Sequence, residues 1–130
     1  MTRSIIKRLA AVIFTAVLVF ALLCFAGCGK KTLIMTSAAP DGVNKVEIYQ
    51  IGDADFPFGD ADCTIILSGD GKEIGHYSIP VANDGKNLAP ENFYVEWLDD
   101  CADVTVMGEE MEPIICRLFY DGTGSSVPAE

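Results

Sequence analysis

The chain has 130 residues, half of them hydrophobic, with nine Lys+Arg against nineteen Asp+Glu and a formal net charge of −10. At that length one modest core in one domain is the expectation. The acidic excess excludes nucleic acid as a partner, because binding phosphates needs Lys and Arg to displace counterions.

The N-terminus carries three parts in secretory order. Arg3, Lys7 and Arg8 form a positive n-region, residues 9–25 are apolar except for Thr15, and the small residues Ala26 and Gly27 precede Cys28. Phe25-Ala26-Gly27-Cys28 therefore reads as a bacterial lipobox, with Phe25 standing where an aliphatic residue is usual. Small side chains let the extended backbone enter a signal peptidase, and the Cys28 thiol is the nucleophile that takes the diacylglycerol. Residues 1–27 are expected to be a lipoprotein signal peptide, and Cys28 the site of lipid attachment.

An uncleaved single-pass helix is the competing expectation, since the apolar stretch overlaps the roughly 17–25 residues that a span needs. Arg3, Lys7 and Arg8 on one side against Lys30 and Lys31 on the other keep the N-terminus in the cytoplasm under either expectation. The rest of the chain then lies at the outer face of the cell membrane. With residues 1–27 removed, six Lys+Arg face nineteen Asp+Glu in 103 residues, a formal −13. An anionic surface repels such a body across a Debye length of about 8 Å.

Residues 28–42 read as a tether broken by the apolar Leu33-Ile34-Met35, residues 43–121 as the folded domain, and residues 122–130, rich in Gly and Ser, as a disordered tail. Inside the domain the hydrophobic period is two. Val46, Ile48 and Gln50 alternate with Glu47, Tyr49 and Ile51. Cys63, Ile65 and Leu67 alternate with Thr64 and Ser68, and Asp70-Gly71 then offers a tight turn into residues 73–79, which predicts a hairpin. Phe93, Val95 and Trp97 share one face, Val104 and Val106 follow after a turn holding Cys101, and residues 114–120 make a last strand. The fold class expected is all-β: a small antiparallel meander of about six strands, forming a sandwich or open barrel, preceded by a hydrophobic signal helix. Val46, Ile48, Ile65, Leu67, Ile79, Phe93, Val95, Trp97, Val104, Val106, Leu118 and Tyr120 are its expected core.

The domain resembles a family of small lipoproteins or membrane-anchored proteins of Gram-positive bacteria, a domain of unknown function. The resemblance rests on Pro40-Asp41-Gly42 before Val46-Glu47-Ile48-Tyr49, on Phe56-Pro57-Phe58-Gly59 leading to Asp62-Cys63, on Ala82-Asn83-Asp84-Gly85-Lys86, and on Asn92-Phe93-Tyr94-Val95-Glu96-Trp97. It covers most of residues 38–121 and implies an envelope location with no catalytic residue to carry over.

Sharper chemistry finds little support in the residues. Asp53, Asp55, Asp60 and Asp62 supply the right oxygen ligands for Ca²⁺ but at the wrong spacing, with Pro57 where a ligand should stand. A solvated acidic loop anchored by the Phe56 and Phe58 rings is the expectation. His76 is the only histidine, and no nucleophile motif accompanies it. Cys63, Cys101 and Cys116 lack the paired spacing of a zinc site. At most one disulfide can form among the three; a Cys63–Cys116 bridge is conceivable but connectivity is not readable from sequence, and three buried thiols are favoured because free cysteine is among the most buried residue types. The chain is therefore expected to be a non-enzymatic binding or accessory module without cofactor or metal, with an envelope enzyme of unidentified chemistry as the alternative. Its partners would be the membrane, through the lipid, and an envelope protein. The long connection after Ala82, holding Asn83-Asp84-Gly85-Lys86-Asn87, is where binding is sought first.

Overall fold

A computed structural model describes residues 2–26 and 30–129, which form two compact units, residues 1–30 and residues 31–130. The first is one helix, α1 (Thr2–Ala26). No Gly or Pro interrupts it, and Ala and Leu recur through it, so local propensity favours a helix throughout. The Thr15 hydroxyl donates to the Ala11 carbonyl at 2.8 Å, satisfying the one polar side chain of the apolar run within the helix itself. Among the residues with described side chains, which in this helix end at Leu18, no stretch is long and apolar enough to cross a membrane. Cys28, the expected lipid attachment site, lies outside the described residues.

The second unit is built from eight strands: β1 (Lys31–Ala38), β2 (Asn44–Ile51), β3 (Asp60–Gly69), β4 (Lys72–Ala82), β5 (Phe93–Trp97), β6 (Cys101–Val106), β7 (Ile114–Phe119) and β8 (Gly124–Pro128). They form two four-stranded antiparallel sheets, ordered β1-β2-β3-β4 and β5-β6-β7-β8. Each strand pairs only with its neighbours in sequence, so each sheet is a plain meander. The ten-residue connection 83–92 passes from one sheet to the other and contains a single 3-10 turn, Pro90–Asn92.

The hairpin turns follow from their residues. At the β3–β4 turn Asp70 and Gly71 take φ of +52° and +74°, the pair of left-handed conformations that a two-residue connection requires. In the β1–β2 turn the Asp41 carboxylate accepts from the backbone N–H of Val43 and Asn44 at 2.8 and 3.0 Å, an Asx turn that fixes the reversal.

Alternation sends every second side chain into one core between the sheets. Val46 and Ile48 from β2, Cys63, Ile65 and Leu67 from β3, and Val81 from β4 meet Phe93 from β5, Val104 and Val106 from β6, and Cys116 and Leu118 from β7. Ile79, Val95, Trp97 and Tyr120 pack against this core but are half-buried. The first three stand on β4 and β5, outer strands of the sheets, where one flank has no neighbour to cover it.

The outer strands approach each other on both sides of the domain. On one side the Trp97 indole N–H of β5 donates to Ser37 Oγ of β1 at 3.0 Å. On the other, the Tyr77 hydroxyl of β4 donates to Ser126 Oγ of β8 at 2.8 Å. The sheets do not join into a closed barrel.

Four expectations change. The strands number eight, not about six. Lys31–Ala38, assigned to the tether, is strand β1, paired along its length with β2 and bulged at Ile34. Gly124–Pro128, assigned to a disordered tail, is strand β8, paired with β7 from Leu118↔Gly124 to Ile114↔Pro128. Cys101, assigned to a turn, opens β6 opposite Phe119.

Candidate functional site

The strand directions gather three connections at one end of the domain. Residues 52–59 leave β2, residues 83–92 leave β4 and residues 107–113 leave β6 at that end, and β1 begins there because Lys31 is paired with Ile51.

Two buried amides organise these loops. Gln50 continues the inward face of Val46 and Ile48 beyond the apolar residues and is only 4% exposed. Its amide N–H donates to Gly52 O at 3.0 Å and Asn87 Oδ1 at 2.9 Å, and its Oε1 accepts from the Leu88 N–H at 2.7 Å. Asn83 is equally buried. Its Nδ2 donates to the carbonyls of Lys86 and Asn87, while its Oδ1 accepts from Asn92 Nδ2 and from the Glu109 N–H. Asn92 carries the ties onward, donating to Met107 O at 2.7 Å and accepting from the Ala89 N–H at 2.9 Å. Every capacity of the Asn83 side chain is used, so its burial leaves no orphaned group.

Residues 52–59 are held by the same amides. Asn87 Oδ1 also accepts from the Ala54 N–H at 3.1 Å, the Gly59 N–H donates to Asp55 O at 2.6 Å, and the Gly85 N–H donates to Gly59 O at 3.0 Å. Asp84 and Gly85 take φ of +55° and +70° in the turn closed by the Lys86 N–H on Asn83 O. A Cβ at Gly85 would stand 2.2 Å from Pro57 O, so only glycine lets the two loops lie this close.

At the tip of this scaffold Phe56 and Phe58 are 88% and 75% exposed, the largest exposures of any bulky apolar residue in the β-domain. The expectation that their rings anchor the loop is therefore corrected. Backbone and Asn87 hydrogen bonds do the anchoring, and the rings point to solvent.

Carboxylates surround the rings. Asp53 and Asp55 flank them on the same loop, Asp60 opens β3 next to it, and Asp84, Glu109 and Glu110 stand on the adjoining loops, all but half-buried Asp84 exposed. The hydrogen bond and negative charge of Asp84 hold the Glu110 carboxyl above its ordinary range, with further upward pushes from Glu109 and Asp60. Lys86 is engaged by Glu109, with Nζ at 2.9 and 3.1 Å from the two carboxylate oxygens. The tip is thus a fixed aromatic pair in a negative field.

The other residues with chemical potential lie elsewhere. His76 is on β4, paired with Ile66 of β3, with Nδ1 at 3.5 Å from Glu73 Oε2 and most of its side chain in solvent. Cys63, Cys101 and Cys116 are buried and free. Loss of water pushes the Cys63 thiol up to about 12, with the Cys116 thiol across the core adding to it. Burial likewise pushes Cys101 and Cys116 up to about 11. Raised thiols and burial together leave all three poor nucleophiles at neutral pH. Among the described residues no three His, Cys, Asp or Glu side chains are grouped to hold a metal ion, and Asp53, Asp55, Asp60 and Asp62 do not converge.

A shallow groove on the outer face of the first sheet is lined by Ile51, Asp62, Thr64, Ser78 and Pro80. Its two hydroxyls, Thr64 Oγ1 and Ser78 Oγ, satisfy each other at 3.0 Å. On the second sheet, Asp103 is 6% exposed and accepts from Arg117 Nε and Nη2 at 2.8 and 2.9 Å, directly across the β6–β7 pair. This bidentate pair holds the Asp103 carboxyl below the usual carboxylate range and is structural.

The comparisons with known proteins match nothing: no family model, no curated protein and no solved structure corresponds to this chain.

Proposed function

We propose that the chain is a lipoprotein anchored at the outer face of the cell membrane through Cys28, and that its β-domain is a non-enzymatic binding or accessory module of the cell envelope. The observation that carries this is the character of α1. Ile5, Ile6, Leu9, Val12, Ile13, Phe14, Val17 and Leu18 are each 53–71% exposed, on a helix that is a compact unit of its own. A helix apolar over most of its circumference is stable in a bilayer or removed from the mature protein, not left in water. The order of basic residues, apolar run, Ala26-Gly27 and Cys28 supports removal after lipidation.

An uncleaved span is the second reading, supported by the apolar run over residues 9–26 of α1, which reaches the roughly 17–25 residues that a span needs. Both readings leave the acidic β-domain outside the cell. A binding role is supported by a loop end ordered by buried amides, and an enzymatic one is disfavoured by a lone exposed histidine and three protonated thiols.

Growth with labelled palmitate tests the anchor. The protein should take up label, and Cys28→Ser should lose it and retain residues 1–27. Label persisting in Cys28→Ser would overturn the lipobox, and no label in either protein would give the uncleaved helix.

A further inference from the structure

We infer that the loop end bearing Phe56 and Phe58 is a docking surface for a protein that presents an apolar pocket ringed by Lys and Arg at the membrane surface. The inference deepens the binding role proposed above and takes its membrane placement from the Cys28 anchor.

Three observations carry it. The first is exposure on a fixed support. Phe56 and Phe58 are 88% and 75% exposed, whereas Leu33, Val43, Leu98, Tyr94 and Val127 range from 36% to 62%. Two adjacent aromatic rings held out by backbone hydrogen bonds lose little freedom on binding, and buried aromatics of this kind dominate interface energies. Gly85 fixes the support, since the Pro57 carbonyl occupies the space a side chain would need.

The second is charge. Asp53, Asp55 and Asp60 stand beside the rings, and Asp84 and Glu110 are close enough to each other to raise the Glu110 carboxyl. Such a rim is attracted to a basic surface and steers its approach. The same rim argues against insertion of the rings into an anionic bilayer, because each carboxylate is repelled within a Debye length of about 8 Å.

The third is position. β1 begins at Lys31, paired with Ile51 next to this loop end. Only three steps of chain separate Lys31 from Cys28, a reach of about 10 Å at most. A lipid on Cys28 therefore turns this end toward the membrane, where a membrane protein's outer surface is the available partner.

The test uses the full chain in phosphatidylcholine nanodiscs, a synthetic Lys/Leu peptide as probe, a Glu/Leu peptide as control, and empty discs as blank. Saturable binding of the Lys/Leu peptide is expected, weakened at least about tenfold by Phe56→Ser/Phe58→Ser and again by raising salt from about 0.05 M to about 0.5 M. Val43→Ser, an exposed apolar position at the opposite end, should bind as the parent does. Equal binding by the double variant, or an equal loss in Val43→Ser, would overturn the docking surface. Thermal melting of the double variant should match the parent, since both rings are in solvent. A benzophenone at position 58 that labels only lipid, in discs containing phosphatidylglycerol, would make the bilayer the occupant and overturn the protein partner. If palmitate labelling fails while the peptide still binds through Phe56 and Phe58, the anchor is wrong and the surface stands.

Discussion

Gly85 lies directly against the Pro57 carbonyl: a Cβ there would stand 2.2 Å from the oxygen and 2.4 Å from the carbon. This contact joins the connection between the two sheets to the loop that carries Phe56 and Phe58. It sets backbone against backbone, so neither side can yield by rotating a side chain.

Gly85→Ala should therefore destabilise by about 3 kcal/mol, of which about 1 kcal/mol is the positive φ and the rest the displaced loop. Gly42→Ala is the comparison, since Gly42 has φ of +73° and nothing within 4 Å of its Cβ position, and it should lose only about 1 kcal/mol. Urea unfolding of both variants checks the difference. Hydrogen exchange at the Gly85 amide, which donates to Gly59 O, should accelerate in a Gly59 variant that moves the loop. Equal losses for the Gly42 and Gly85 variants would mean that the loop contact contributes nothing.

Asn83 should be the most sensitive polar residue at this end. Asn83→Ala strips two carbonyls of their donor and two N–H groups of their acceptor in a nearly water-free position, at a cost of about 2–3 kcal/mol. Asn83→Asp keeps the acceptor but turns a second oxygen toward the carbonyls of Lys86 and Asn87. That arrangement favours the protonated acid, so its folded pKa rises above the unfolded value. The variant should then be closest to the parent below the unfolded value and fall behind as pH rises through the folded one. Melting of the variant and the parent side by side at acid and neutral pH reads the sign, and a gap that narrows toward neutral pH would contradict the assignment of the two amide atoms.

The parts of this fold legible in the chain are those where alternation meets burial on both flanks. β2, β3 and β7 are inner strands whose every second residue is buried, so their period is plain in Val46-Ile48, Ile65-Leu67 and Cys116-Leu118. β1 and β8 are outer strands. β8 is exposed at all five positions and composed of Gly, Ser, Val and Pro, a composition that local propensity reads as disorder. Its order comes from the ladder to β7 and the Tyr77 hydroxyl, neither visible without register.

The candidate site was hidden for a related reason. Gln50 and Leu88 are 38 residues apart, and Asn83 and Glu109 are 26 apart, so the network exists only after both sheets are formed. Phe56 and Phe58 misled in the opposite direction, because apolar residues are usually but not necessarily inside. Phe-Pro-Phe-Gly between aspartates carried the signal for exposure: a turn sequence with charged residues on both sides has nothing apolar to pack against.

Arg117 neutralises the buried Asp103, and removing it should cost about 2 kcal/mol, near 10 °C of melting temperature for a domain of this size. Arg117→Lys should recover part of this, as a single ammonium cannot reproduce the two parallel hydrogen bonds. The pH dependence has a definite sign. The folded Asp103 carboxyl titrates below its ordinary 3.8, so as pH falls past that value the unfolded chain takes up the proton first and the pair's contribution is lost. The gap between the parent and Arg117→Ala should be full above about pH 5 and shrink below about pH 4. A gap independent of pH would assign the loss to packing of the Arg117 stem.

Cys63, Cys101 and Cys116 should be silent toward thiol reagents in the folded protein. Their thiols are pushed up to about 12, 11 and 11 by burial, and both low thiolate content and lack of access slow the attack. At about pH 8 a maleimide should leave all three unmodified, and denaturant should expose them together, because Cys63 and Cys116 belong to one core and Cys101 is buried on the opposite face of β6, a strand that carries part of that core. Intact mass after timed labelling separates the outcomes. Cys101 reacting well ahead of the other two would mean that the β5–β6 turn at Asp99-Asp100 opens without the core. Simultaneous labelling at the global unfolding rate would mean that both sheets come apart as one unit, as their shared core requires.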